Sequence, residues 1–131
     1  MSADVEQLAR LAVDCGFKLH LALGPGLLES AYEACLAHDL AKRGLHVERQ
    51  RLIPINYDGE RVDAGFRADL LVEGRLLIEL KSTETLAPVY TRQVLTYLRL
   101  MGLPLGLLMN FGTISFKDGC RRIANNYYAD R

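Results

Sequence analysis

Two apolar segments of strand length, joined by a Glu-Gly turn, constrain the fold of this 131-residue chain more than any other feature. Residues 69–81 read DLLVEGRLLIELK, so Asp69, Glu79 and Lys81 lie among nearly unbroken hydrophobic residues. Charged side chains are rarely buried in a strand without a partner or a task. Because side chains alternate across a strand, Glu79 and Lys81 project to one face of the second segment. The pattern predicts a β-hairpin in which these charged residues share one site.

The length of the turn decides whether the two acids meet. With a three-residue loop centred on Gly74, Asp69 lies opposite Glu79, and Leu71 lies opposite Leu77. A two-residue loop would turn Asp69 away from Glu79. We predict the three-residue loop, and a structure with the two acids on opposite faces of the sheet would contradict a shared site.

Neighbouring carboxylates repel each other, and a proton or a bound cation relieves the repulsion. Oxygen ligands with room for water suit Mg²⁺ or Mn²⁺. Lys81 could then orient or deprotonate an attacking water and screen developing charge, which indicates hydrolysis of phosphodiesters. The alternative is that Asp69 ends a strand and that Glu79 forms a surface ion pair with Lys81 on an edge strand.

Hydrophobic periodicity divides the rest of the chain into helices and strands. Helices are predicted at residues 5–23, 27–43 and 87–101, and strands at residues 47–57, 62–72, 76–81 and 105–111. A last hairpin is expected around Asp118 and Gly119. The order, roughly ααβββαβ(β), predicts a single α/β domain over residues 1–131, with a mixed central sheet flanked by helices.

Two helical pairs are candidates for assisting the site. Gln93 and Tyr97 are four residues apart, so they share a helix face and could look across at the strand carboxylates. An ordinary half-exposed position explains their spacing equally well. Glu29 and Tyr32 lie in the first turn of the second helix, where the helix dipole favours an acid regardless of function.

The composition excludes several classes of protein. Sixteen Lys and Arg balance sixteen Asp and Glu, so any nucleic-acid contact must come from a local patch and not from the overall field. Cys15, Cys35 and Cys120 lack the spacing of a disulfide framework or a structural zinc site. The apolar run at residues 103–109 is far shorter than the ~20 residues that span a membrane. We expect a cytoplasmic protein without membrane contact.

Five short motifs follow one another between His20 and Ile123. They are Leu23-Gly24-Pro25-Gly26 with Glu29 and Tyr32, Arg67-Ala68-Asp69, Glu79-Leu80-Lys81, Gln93-Val94-Leu95-Thr96-Tyr97-Leu98, and Leu108-Met109-Asn110-Phe111-Gly112. Together they resemble the GxxExxY protein family, which belongs to the PD-(D/E)XK nuclease superfamily. Ala68 stands where the best-known form of the superfamily has a proline before the first acid.

The resemblance implies a restriction-endonuclease-like core and a defined set of site residues. The implied metal ligands are Asp69, Glu79 and the backbone carbonyl of Leu80, with Lys81 as the catalytic lysine. Glu29 would reach the metal directly or through water. Gln93 and Tyr97 are similar to the QxxxY element of RecB-type and lambda-type exonucleases, where it supports the active site.

The expected function is therefore a nuclease that uses Mg²⁺ or Mn²⁺ to hydrolyse phosphodiester bonds. DNA is favoured over RNA, and exonuclease-like processing of DNA ends is favoured over site-specific restriction. The alternative is a catalytically silent binding or scaffold subunit of a nucleic-acid-processing complex, and an RNA-processing or nucleotide-directed hydrolase ranks below both. A homodimer or a partner subunit stays open, and Tyr127 and Tyr128 are expected to pack on the core or to form a dimer contact.

Overall fold

The computed structural model describes residues 4–127, which form a five-stranded mixed sheet between helices. Its elements in chain order are α1 (Val5–Leu23), α2 (Glu29–Lys42), β1 (Val47–Tyr57), β2 (Glu60–Val72), β3 (Leu76–Lys81), α3 (Pro88–Met101), β4 (Leu105–Asn110), α4 (Phe116–Gly119) and β5 (Cys120–Ala124). This order confirms the predicted α/β class. Tyr127 packs against the core, and Tyr128 lies outside the described residues.

The helices begin and end where local chemistry dictates. α1 starts at a capping box, in which the Asp4 side chain accepts from the Gln7 N–H (2.8 Å) and the Gln7 side chain accepts from the Asp4 N–H (3.0 Å). α3 has Pro88 in its first turn and ends at Gly102, whose left-handed backbone (φ 68°) suits glycine. None of the helices within residues 4–127 combines the length and the hydrophobicity of a membrane-spanning segment.

The sheet has the strand order β1-β2-β3-β4-β5, with β3 and β4 parallel and the other neighbours antiparallel. A parallel pair needs a crossover connection, and α3 supplies it. The side chains of β3 alternate between two cores. Ile78 and Leu80 pack under α1 and α2, whereas Leu77 packs under α3 with Val94 and Leu98. β3 is therefore the buried centre of the sheet.

The end of the chain differs from the predicted hairpin. β5 pairs antiparallel to β4, but Asp118 and Gly119 belong to α4 and not to a tight turn. The Ser115 side chain accepts from the Asp118 N–H (3.3 Å), which starts a helical turn. Gly119 is needed for close packing, since a Cβ there would lie 2.2 Å from the Asn110 carbonyl oxygen.

β1 and β2 form a long ribbon that changes faces part-way along. β2 pairs with β3 only through Leu70, Leu71 and Val72, although it begins at Glu60. Leu70 packs under α1 and α2, whereas Ala68, two residues away, packs under α3. In a regular strand these two side chains would share a face. The reversal therefore falls at Asp69 and, on β1, at its neighbour Gln50, whose φ is 51°.

Candidate functional site

The loop between β2 and β3 sets the position of the two acids. Residues 73–75 form the loop, with left-handed backbone at Glu73 (φ 54°) and Gly74 (φ 66°). The strand pairs that follow are Val72 with Leu76, Leu71 with Leu77, and Leu70 with Ile78. This register confirms the three-residue loop predicted from the sequence.

Beyond the pair of Leu70 with Ile78, side chains take the place of the main-chain hydrogen bonds between β2 and β3. The Asp69 N–H donates to Glu79 Oε1 (3.1 Å), and the Leu80 N–H donates to Asp69 Oδ2 (2.9 Å). Regular pairing of β2 with β3 stops at Leu70, so the strands diverge here and the two carboxylates occupy the gap. The two acids are thus adjacent and not on opposite faces.

Burial makes it unfavourable for both acids of this pair to be ionised. Glu79 is only 6% exposed. Burial raises the pKa of Glu79 to about 9, and the charge of Asp69 adds to the shift, while Lys81 acts in the opposite direction. Without a cation, the pair is most stable when Glu79 keeps its proton. A divalent cation would relieve the same repulsion.

Lys81 follows Glu79 on the same strand and is held by an aromatic ring. Its Nζ lies 4.4 Å from the centre of the Tyr90 ring on α3, within cation–π range. The alternative of an ion pair on an edge strand is wrong, because β3 lies between β2 and β4 and Glu79 is buried. Lys81 instead extends along the α3 side of the site.

Gln93 and Tyr97 on α3 face this side. Gln93 Nε2 donates to Tyr97 Oη (2.9 Å), and the Tyr97 ring stacks on Phe66 of the β1–β2 ribbon at 3.9 Å between centres. Burial and the charge of Glu79 raise the pKa of Tyr97. Together with Tyr90, the two residues line a cleft of about 390 Å³. The charges of Glu79 and Asp69 both act on Tyr97, so the structure brings this residue near the carboxylates.

A second cleft, of about 470 Å³, opens beside α2 and is lined by Glu29, Asp69 and Leu80, among others. Glu29 is the exposed first residue of α2, so the N-terminal end of this helix borders the cleft. The Lys81 carbonyl accepts from the Phe111 N–H (2.8 Å) on the β4 side. Because successive peptide groups of a strand point to opposite edges, the Leu80 carbonyl points toward β2 and Asp69.

Comparison with known families gives this geometry a context. The family model of the PD-(D/E)XK nuclease superfamily matches residues 6–123. The chain belongs to the PD-(D/E)XK nuclease superfamily. The crystal structure of SSO0001 matches with a TM-score of 0.50 and 21% identity over 94% of this chain, which spans 56% of the length of that protein. That likeness concerns the fold alone. No curated protein matches the chain.

A polar network that was not predicted from the sequence joins α2, β1 and Asp69 in this PD-(D/E)XK chain. Glu33, which is buried, accepts from Arg49 through Nε (3.2 Å) and Nη2 (3.1 Å). Gln50 Nε2 donates both to Glu33 and to Asp69 Oδ1, the latter at 3.1 Å. Glu33 stands one helical turn after Glu29, so helical spacing could have found it. Gln50 carried no comparable signal.

Gly26 and Tyr32 lie three residues before and three residues after Glu29, and both have structural roles. Gly26 has φ 111°, a conformation that L side chains rarely adopt. The Tyr32 hydroxyl donates to the Gly24 carbonyl and accepts from the Leu27 N–H (3.2 Å), so it fastens the loop before α2. Its fully buried ring stacks on Phe111 at 4.5 Å. The two residues fix where α2 starts and hence where Glu29 lies.

The donor set fits a hard divalent cation. Within residues 4–127, no three His, Cys, Asp or Glu side chains cluster closely enough to hold a metal by themselves. The site offers the carboxylates of Asp69 and Glu79 and the carbonyl of Leu80, all oxygen donors. Mg²⁺ and Mn²⁺ bind through a few such oxygens and keep several waters. Glu29 lines the cleft but does not form a three-acid cluster with the pair.

Proposed function

We propose that this PD-(D/E)XK chain is a nuclease dependent on Mg²⁺ or Mn²⁺ that hydrolyses phosphodiester bonds, with DNA as its preferred substrate. One observation carries the proposal. Asp69 and Glu79 lie side by side where β2 and β3 diverge, and burial, together with the charge of Asp69, raises the pKa of Glu79 to about 9. A sheet that needed only stability would close this gap with an ordinary strand pair.

The proposed ligands are Asp69, Glu79 and the Leu80 carbonyl, with Glu29 acting directly or through a water. A cation held there would supply Lewis-acid stabilisation of a phosphate oxygen and lower the pKa of a bound water. The chain itself supplies the orientation. The Leu80 N–H holds one Asp69 oxygen at 2.9 Å, so this carboxylate cannot rotate freely.

Lys81 is the proposed catalytic lysine. It projects to the same strand face as Glu79, and the Tyr90 ring holds its ammonium group. From there the ammonium can orient the attacking water and screen charge that develops on the phosphate. Gln93 and Tyr97 line a cleft together with the same Tyr90, and their hydrogen bond fixes both polar groups for contact with the substrate.

We further propose that the chain is a GxxExxY protein that processes DNA ends in an exonuclease-like manner. Gly26, Glu29 and Tyr32 support the first part, because their arrangement around the start of α2 accounts for the spacing of the motif. The second part rests on the similarity of Gln93 and Tyr97 to the QxxxY element. Digestion of linear, nicked and circular DNA, with and without blocked ends, tests it. Cleavage of closed circles would contradict end processing.

Calorimetric titration of Mg²⁺ and Mn²⁺ into the wild type and into Asp69→Ala and Glu79→Ala tests the proposed function. We expect both variants to lose cation binding and cleavage together. Asp63→Ala is the matched control, since Asp63 is an exposed acid on the same strand, 86% accessible, and forms an ion pair with Arg61 at the surface. A wild type that binds neither cation would overturn the proposal.

The scaffold alternative is favoured by one further surface. A cavity of about 680 Å³ between α1 and β5 is lined mainly by apolar atoms, and Val13 and Phe17 on its rim are exposed. Such a surface is typical of a contact with another protein. A monomer by light scattering, together with metal-dependent cleavage of DNA, would remove this alternative.

A further inference from the structure

Gln50 has the most unusual backbone conformation in the sheet. Among residues 4–127, four residues other than glycine have a positive φ: Gln50, Asp58, Glu73 and Asn126. The last three lie in turns or bends, where this conformation is common. Gln50 lies within β1, where a left-handed residue interrupts the strand. Such conformations persist only where the surroundings hold them, and they cluster at functional sites.

The Gln50 side chain explains what holds this conformation. Its single amide nitrogen donates to Glu33 on α2 and to Asp69 Oδ1 on β2. An amide nitrogen carries two hydrogens, so one donor serves each carboxylate. Glu33 is anchored in turn by Arg49. The result is a fixed chain of contacts from α2 to the proposed metal ligand.

Asp69 is thereby held at both oxygens. Gln50 donates to Oδ1 (3.1 Å), and the Leu80 N–H donates to Oδ2 (2.9 Å). Each carboxylate oxygen can accept a second partner, so these two contacts leave acceptor capacity for a cation. A neutral donor at this place fixes the carboxylate without adding a positive charge that would oppose a divalent cation. Lysine or arginine would add that charge.

We propose that Gln50 is a positioning residue, which orients the Asp69 carboxylate for the cation and for which the strained strand conformation is retained. This inference rests on the proposed function of the site. Partners that orient metal ligands change metal affinity by about 10-fold to 100-fold when they are lost. In this role Gln50 acts through Asp69 and takes no direct part in the reaction.

Replacement of Gln50 by glycine tests the proposal, since glycine accepts φ 51° and removes the side chain together with its amide. We expect Gln50→Gly to weaken Mn²⁺ binding about tenfold in calorimetric titration. We also expect kcat for DNA cleavage to fall by a similar factor while KM for DNA stays unchanged. Gln50→Asn keeps an amide and tolerates the left-handed conformation, but it is one methylene shorter, so it should weaken Mn²⁺ binding as well.

Asp58→Gly is the matched control, because Asp58 has nearly the same φ (50°) in the turn between β1 and β2. It should leave Mn²⁺ affinity and kcat unchanged. Folded Gln50 variants with wild-type Mn²⁺ affinity and kcat would overturn this inference alone. A wild type that binds no Mn²⁺ would overturn the proposed function and this inference with it.

Discussion

The buried Glu79 side chain lowers the stability of the folded protein at alkaline pH. The unfolded chain would release the Glu79 proton near pH 4.5, whereas the folded protein keeps it up to about pH 9. The folded state therefore binds more protons than the unfolded state between these values. It follows that the contribution of Glu79 to the free energy of unfolding falls as the pH rises, by up to about 1.4 kcal/mol per pH unit.

Glu79→Gln should therefore be more stable than the wild type at alkaline pH when no metal is present. The amide keeps the shape of the side chain and cannot ionise, so the gain should be small near about pH 5 and large near about pH 8.5. Thermal unfolding of both proteins in a chelator measures this. A difference in Tm that does not change with pH would contradict the raised pKa.

We expect Lys81 to contribute to the rate of DNA cleavage and not to the binding of the cation. We expect Lys81→Met to retain Mn²⁺ binding and to lower kcat by a factor of about 10² or more. Tyr90→Leu removes the ring beneath the ammonium group and should give a smaller loss. Single-turnover cleavage and calorimetry separate the two effects. Loss of Mn²⁺ binding in Lys81→Met would contradict this division of roles.

At the scale of elements, the loop before α2 depends on one hydroxyl group. Tyr32→Phe keeps the stacking on Phe111 but leaves the Gly24 carbonyl and the Leu27 N–H without this partner. We expect a loss of about 1–2 kcal/mol in the free energy of unfolding, measured with urea. Tyr57→Phe is the control, since Tyr57 is 73% exposed and should change nothing. Equal effects would show that the hydroxyl does not fasten the loop.

Some features of the candidate site could be predicted from the sequence of a single segment, and others could not. The loop centred on Gly74 could be predicted because turn length and side-chain alternation are local, and these fixed the register that joins Asp69 to Glu79. The network of Glu33 and Gln50 could not be predicted in the same way. It depends on a change of faces within the ribbon and on the packing of α2 against β1, which neither segment encodes alone.

At the scale of the whole molecule, cation binding should be coupled to proton release and to stability. Glu79 keeps its proton at neutral pH, so a bound cation must displace about one proton. Titrations in buffers of different ionisation enthalpy should show this release in the wild type. At a concentration of about 100 times Kd, the cation should add about 2.7 kcal/mol to the free energy of unfolding. An affinity that does not change with pH would contradict the displacement.

The reversal of faces at Gln50 and Asp69 divides the β1–β2 ribbon into two parts. Without it, a change in the length of one part would alter the packing of the other. On the β3 side of this reversal, the ribbon pairs with β3 and packs under α1 and α2. Outside it, residues 51–68 lie against α3 and solvent. Because side chains alternate along a strand, we expect paired insertions of two residues near the Asp58 turn to preserve the facing of both strands and to leave the acids in place. We therefore expect the length of the outer ribbon to be free to diverge, or to be redesigned, without disturbing the arrangement of Asp69 and Glu79.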